Sequence, residues 1–456
     1  NNMKRYILPV LLMLPVIIFC QPELPTGYFW QKLDNGLEVV VIENSKVPLA
    51  TVEIAVKNGA FTEGPEYSGL SHLFEHMFFK ANKMYPTQAD ILRRTQELGA
   101  IWNGTTGNER VNYFLTFNKD SLAQGMEFLN AAIRFPIYRE EDMKKERPVV
   151  DGEFQRNESN PGFQLYYQCA KRLWGDNFTR KWPIGIHNII NTATPAKMMV
   201  IKNKYYFPNN SILVVAGDVQ HEEAFKLAKE IYGDWANSGF DPMVKFPIPE
   251  FEPLKSTQYF VSQNTIAKTP YVMYFWQGPD YRNDSAGTIA ADVFSTILQL
   301  NSSKWQQALI DKGLATVANV SYNTSKYVGP INIIVIPNPN KLKECNDEIM
   351  NQIKVWAQDD YFTDEELKEA KETLRRNDIR EKEKPSQLPS QLTDQWCSTS
   401  LDYYTNYIDD CDKVTREDIK SYINKYVTGK PYVAGMIINP EMYKQYKPDT
   451  FFKASL

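Results

Sequence analysis

The sequence predicts an α+β protein made of two homologous halves, each an α/β sandwich. Three observations carry that expectation. Strand-like and helix-like patterns alternate along 456 residues, a length that suits two sizeable cores better than one. Residues 236–255, ANSGFDPMVKFPIPEFEPLK, are rich in proline and poor in periodicity, which marks a linker. Behind it the same grammar restarts, and Leu213-Val214-Val215-Ala216-Gly217-Asp218 resembles Val433-Ala434-Gly435-Met436-Ile437-Ile438, as an old duplication would leave it. The expected units are a signal peptide over 1–20, a first half over 27–235, the linker, and a second half over 256–450.

The signal peptide rests on Lys4 and Arg5 ahead of an apolar run over 6–19, too short for a transmembrane helix of about 20 residues. The run ends at Cys20-Gln21-Pro22, which leaves two outcomes open: ordinary cleavage nearby, or acylation of Cys20 as a lipoprotein anchor. Both imply export, to a bacterial periplasm or a membrane-anchored position. Hydrophobic content of 43% with 23% charged residues describes a globular chain, and a net charge of −4 gives no reason to expect nucleic acid. Beyond Cys20 stand Cys169, Cys345, Cys397 and Cys411. Pairing (Cys397 and Cys411 being nearest in sequence) and burial as free thiols both fit.

In the first half, residues 29–33 and 37–42 flank Asp34-Asn35-Gly36, a strong hairpin signal, and 50–56 alternates as the next strand. A helix follows with Ser71 as its expected N-cap. Helical patterns cover 89–98, 121–135, 140–157 (with Pro148 inside), 194–206 and 222–235. Strand-like runs fill 100–117, broken at Gly104 and Gly107, and 211–216. In the second half, strands are expected near 258–260, 271–276, 316–322, 331–336 and 432–438. Helices are expected over 286–298, 304–311, 341–357, 363–379 and 415–426.

The chemistry concentrates in His72-Leu73-Phe74-Glu75-His76, an H-x-x-E-H pattern holding two of the four histidines in the chain. Residues three and four apart share one helix face, so both imidazoles can reach one ion with Glu75 beside them. Two imidazoles, a carboxylate and an open position for water are what a hydrolytic zinc site needs. A third ligand is sought in Glu146-Arg147-Pro148-Val149-Val150-Asp151-Gly152-Glu153.

On these residues the chain resembles the pitrilysin/insulinase family, and within it the smaller two-domain members related to the mitochondrial processing peptidase. Glu153 lies 77 positions after His76 and Glu146 seven before it, as in that family's ligand pattern. Asn103-Gly104-Thr105-Thr106, Pro183-Ile184-Gly185, Tyr205 and Ala216-Gly217-Asp218 extend the likeness over most of the chain. The resemblance implies that family's metallohydrolase fold and one zinc ion per chain held by His72, His76 and Glu153. It implies Glu75 as the base that activates water for peptide-bond hydrolysis, with Glu146 orienting a ligand histidine. Asn103, Gly104, Thr105 and Thr106 would form a sheet edge that pairs with an extended peptide substrate.

One part of the family pattern is broken. Its second half normally carries an Arg and a Tyr that stabilise the oxyanion. Aligned on Gly313-Leu314-Ala315, those positions hold Leu309 and Thr316, with Lys312 a weak substitute. The chain is therefore expected to be the zinc-bearing subunit of a heterodimer, an exported endopeptidase acting on short or unfolded peptides. Its homologous non-zinc partner would supply the pair. The alternative is a non-catalytic peptide-binding or assembly subunit that keeps the fold.

Overall fold

The computed structural model describes residues 24–382 and 387–453. The expected signal peptide and Cys20 lie outside them. In chain order the first half comprises β1 (Tyr28–Lys32), β2 (Glu38–Glu43), β3 (Leu49–Val56), α1 (Leu70–Phe78), α2 (Gln88–Glu97), β4 (Ile101–Thr106) and β5 (Val111–Asn118). It continues with α3 (Leu122–Arg134), α4 (Glu140–Glu158), α5 (Pro161–Trp174), α6 (His187–Asn191), α7 (Pro195–Tyr205), β6 (Ser211–Gly217) and α8 (His221–Tyr232). A short helix, α9 (Pro242–Lys245), lies in the proline-rich stretch. The second half comprises β7 (Gln258–Gln263), β8 (Tyr271–Gln277), α10 (Tyr281–Gln299), α11 (Lys304–Gln306), β9 (Ala315–Tyr322), β10 (Pro330–Pro337), α12 (Leu342–Val355) and α13 (Asp364–Lys382). It closes with α14 (Leu388–Ser398), α15 (Leu401–Lys413), α16 (Arg416–Tyr426), β11 (Val433–Ile438) and α17 (Pro440–Tyr446).

These strands form two mixed sheets with the same topology. The first runs β1-β2-β6-β3-β5-β4, and only β2 and β6 are parallel. The second runs β7-β11-β8-β10-β9, and only β7 and β11 are parallel. Without β1 the two orders match strand for strand, as the repeated sequence grammar anticipates.

Strand β6 is buried along its whole length, which explains its unbroken apolar run: a strand covered on both faces has no solvent side to alternate toward. One face of the first sheet (Val39, Val41, Val52, Ile54) packs on α1, α3 and α8. The other face (Val40, Ile42, Ile212, Val214) is covered by Leu392, Trp396 and Leu401 of α14 and α15, which come from the second half. Reciprocally, Leu165, Cys169 and Leu173 of α5, from the first half, lie on Met273, Phe275 and Val433 of the second sheet. The halves exchange equivalent helices, and the exchange crosses the expected linker.

Helices α5, α14 and α15 are absent from the sequence expectations. Pro161 and Pro389 each sit in the first turn of their helix, where a missing N–H costs nothing, and Asn160 caps α5 through the Gly162 N–H (2.8 Å). All four described cysteines are free and buried, so Cys397 and Cys411 do not pair. Burial raises the Cys397 thiol to about 12, which keeps it protonated and inert.

Candidate metal centre

Helix α1 is sorted by its own sequence. Leu70, Leu73, Phe74, Met77 and Phe78 are buried in the first core, which leaves His72, Glu75 and His76 on the opposite, half-buried face. The expected cap is corrected here: Ser71 lies inside the helix, the N-cap residue is Gly69, and no side chain of the cap bonds to the helix. The free N–H groups are satisfied from a distance. The buried Glu63 carboxylate accepts from Gly69 N (2.6 Å) and Ser71 N (2.6 Å). Gly69 sits at φ +87°, and a Cβ there would lie 2.6 Å from Gly185 Cα, so the chain passes Gly185 too closely for any side chain.

Helix α4 supplies the other carboxylates. Glu146 and Glu153 are seven residues apart, two turns, so both face α1. His72 Nε2 and His76 Nε2 point at each other across 3.2 Å, and Glu153 Oε2 lies 3.6 and 3.8 Å from them. Glu146 Oε1 is 2.9 Å from His76 Nδ1, and its other oxygen accepts from Lys80 Nζ (2.6 Å). On the far side of Glu75, Thr106 Oγ1 donates to Oε2 (2.8 Å), and a Cβ on Gly104 would lie 2.8 Å from Glu75 Cγ. Gly104 and Thr106 are alternate residues of β4, so one face of that strand walls the carboxylate. Asn103 and Thr105 point the other way and are exposed. Strand β4 ends its sheet, so its outer edge is unpaired among the described residues.

The donor set fits zinc. Two imidazole nitrogens and a carboxylate oxygen converge within 4.8 Å of one another. Ligands bound at ordinary Zn–N distances with tetrahedral angles stand about 3.3 Å apart, close to the observed separation of the two Nε2 atoms. Burial and the neighbouring His76 hold His72 down at about 4, so its imidazole is neutral, as a ligand requires. Burial also lowers His76, but the hydrogen bond to Glu146 and the carboxylates around it outweigh that and leave its pKa raised. Burial raises Glu75, and the Thr106 hydroxyl only partly offsets this.

The structure thus brings His72, Glu75, His76, Glu146 and Glu153 into one cluster, with Gly104 and Thr106 against it. Leu309 and Thr316 offer it nothing. Leu309 is fully buried in the second core, Thr316 donates to Ile336 O (3.3 Å) on its own sheet, and exposed Lys312 lies 4.0 Å from Glu348. Sequence reasoning missed Lys80 and Glu63. Lys80 had only its nearness in sequence to His76, since it lies in the turn just past the end of α1. Glu63 had none. The other histidines, His187 and His221, are each paired with carboxylates elsewhere.

Comparison with known proteins gives the cluster its context. Residues 38–173 match the family model described as insulinase (peptidase family M16), and residues 193–374 match that of the peptidase M16 inactive domain. An uncharacterised zinc protease of Rickettsia felis is 27% identical over 201 residues, 44% of this chain and 48% of that protein, so the match spans about half of the relative. Among solved structures, a protease from Helicobacter pylori aligns with TM-score 0.81 at 22% identity, covering 92% of this chain and all of that one. The periplasmic protease PqqL from Escherichia coli aligns with TM-score 0.73 at 15% identity, covering 96% of this chain and 51% of that one.

Proposed function

The chain belongs to the insulinase family of peptidases, M16, and on that premise we propose that it is an exported zinc endopeptidase of short or unfolded peptides. The observation that carries this reading is the convergence of His72, His76 and Glu153 beside a carboxylate, Glu75, that none of them neutralises by direct contact. His72, His76 and Glu153 would hold one zinc ion. When bound, the metal supplies Lewis acidity and brings the pKa of a coordinated water to about 7.

The remaining work falls to the chain. Glu75 accepts the proton of the attacking water and returns it to the departing amine. Thr106 occupies Oε2, which leaves Oε1 to face the water. Glu146 fixes the His76 ring through Nδ1 and favours the tautomer whose Nε2 lone pair is free. The open edge of β4, Asn103 to Thr106, pairs with an extended peptide through main-chain hydrogen bonds, which give grip with little sequence preference.

An oxyanion donor pair is the missing part, and a second, homologous subunit would supply it. Support comes from Leu309 and Thr316, neither of which presents a donor to the centre. The shared fold over about half of PqqL, a periplasmic protease, fits a working unit of two such chains. Export rests on the apolar run ahead of the described residues. Among the described residues no helix is long and apolar enough to cross a membrane.

The test is metal analysis followed by cleavage of a quenched peptide in the presence of the partner. About one zinc per chain is expected, with cleavage abolished in Glu75→Gln while zinc is retained. A protein without stoichiometric zinc, or a Glu75→Gln variant that cuts as well as the parent, would sink the reading. Zinc retained without cleavage, partner present, would favour the non-catalytic alternative.

A further inference from the structure

Among the described residues strand β4 has a neighbour on one side only, and an edge strand held by one ladder opens easily unless its ends are fixed. Its connection to β5, residues 107–110, is fixed from several directions. The carbonyls of Gly107 and Asn108 accept from Ala60 N (3.2 Å) and Phe61 N (2.9 Å). The buried Glu109 carboxylate accepts from the N–H groups of Lys326 (2.7 Å) and Tyr327 (3.1 Å), in the β9–β10 loop of the second half. Arg110 donates to the Ser390 carbonyl and to Thr393 Oγ1 (2.8 Å) of α14, also from the second half.

The β9–β10 loop is itself held rigidly. Buried Lys181 donates to the carbonyls of Tyr327 and Val328 (2.9 Å to the latter), and Asp280 accepts from Val328 N (3.3 Å). Val328 sits at φ +38°, a conformation that a β-branched residue keeps only when its surroundings over-determine it. A second route runs beneath the hairpin. Thr393 Oγ1 donates to buried Glu53 (2.5 Å), Asn112 Nδ2 donates to the same carboxylate oxygen (2.8 Å), and Asn112 Oδ1 accepts from Thr105 Oγ1. The next residue, Thr106, is the one bonded to Glu75.

We propose that Glu109, Glu53 and Asn112 are positioning residues, through which the second half fixes the β4–β5 hairpin by way of Thr105, and with it Thr106 against Glu75. The second half then acts on the centre without touching it: it sets the open edge and the orientation of the carboxylate. The catalytic consequence rests on the peptidase reading, whereas the mechanical coupling does not.

Hydrogen exchange on the full chain, with zinc content measured alongside, tests the coupling. In Glu109→Ala, amide exchange over residues 101–118 rises by about tenfold or more, while exchange over 70–78 and zinc content stay as in the parent. Glu109→Gln keeps one acceptor and gives a smaller rise in the same segment. The control is Ile349→Val, a change in the second core far from the turn, compared at the same interval below each variant's Tm. No rise over 101–118, or a rise no larger than in Ile349→Val, overturns the proposal. With the active complex, Glu109→Ala raises KM for peptide more than it lowers kcat. If the parent does not cut peptide yet the exchange pattern appears, the peptidase reading fails and the coupling stands.

Discussion

In the proposed centre Glu146 would act through His76, so removing its charge tests the centre without removing a proposed ligand. In Glu146→Gln the ring loses its carboxylate partner at Nδ1 and Lys80 loses an ion pair. Zinc affinity should fall about 10–100-fold, read by competition with a chelator, while far-ultraviolet circular dichroism is unchanged. How much of this centre is legible in the sequence depends on distance along the chain. His72, Glu75 and His76 lie within about one turn, so helix geometry alone puts them together. Glu153 arrives from a separate helix, and only the family spacing singles it out. The Thr106–Glu75 bond needs a sheet edge laid over a helix, which no local pattern encodes. A second residue-scale prediction concerns Asp292 on α10, a group remote from the metal centre. Burial pushes its carboxyl up to about 7, outweighing the Tyr407 hydroxyl that donates to it (2.8 Å) and favours the charged form. An unfolded aspartate titrates near about 4, so between about 4 and 7 the folded state binds the extra proton. The stability this gives is complete below about pH 4 and is lost as pH rises through about 7, on the order of 4 kcal/mol at most. Asp292→Asn is neutral at every pH and still accepts from Tyr407. Melting curves of the two proteins should coincide near pH 3 and separate in favour of the variant as pH rises, with the full gap reached by pH 8.

At the scale of elements, proline and glycine misled and informed in turn. Helices α5 and α14, absent from the sequence expectations, each carry a proline, Pro161 and Pro389, in the first turn, where it is compatible with a helix. Pro148 is the converse: helix α4 runs through it, carried by packing of Met143, Val150 and Phe154, so the 140–157 expectation holds despite the lost N–H. Gly104 and Gly107 were read as two breaks, yet β4 continues through Gly104, and its ladder to β5 pairs Gly104 with Tyr113. Gly435 in β11 shows what a strand glycine can be for. A Cβ there would lie 2.5 Å from Phe260 Cζ and 2.8 Å from both Cys169 Sγ and Leu165 Cδ1, so its absence lets α5 lie flat on the second sheet. Gly435→Ala should therefore destabilise by about 1–3 kcal/mol through overpacking. The denaturation midpoint should fall with the slope unchanged. A midpoint equal to the parent's would mean that α5 has room to lift, against the packing described.

For the whole molecule, the reciprocal placement of α5 and α14 decides how it unfolds. Two halves with private cores and an exposed linker would melt separately. Here the outer face of the first sheet, with Val40, Ile42, Ile212 and Val214 buried, is closed by Leu392 and Trp396 from beyond residue 380. The outer face of the second is closed by Leu165 and Leu173 from before residue 180. Neither half can melt without stripping the other's sheet of its cover, and each exposed face would be a contiguous apolar surface. Duplication was visible in the sequence because it repeats local patterns. The exchange was not, since nothing local records which sheet an amphipathic helix covers. Two outcomes follow from it. Calorimetry of the intact chain should show one transition, and Trp396→Ala, which opens a cavity over the first sheet at a cost of about 3–5 kcal/mol, should lower that single transition as a whole. The fragment ending at residue 255 should fail to fold as a soluble monomer, since it keeps the first sheet and loses α14 and α15. Two resolved transitions, with Trp396→Ala shifting only one of them, would show that each half carries its own stability and that the exchanged helices are covers rather than structural ties.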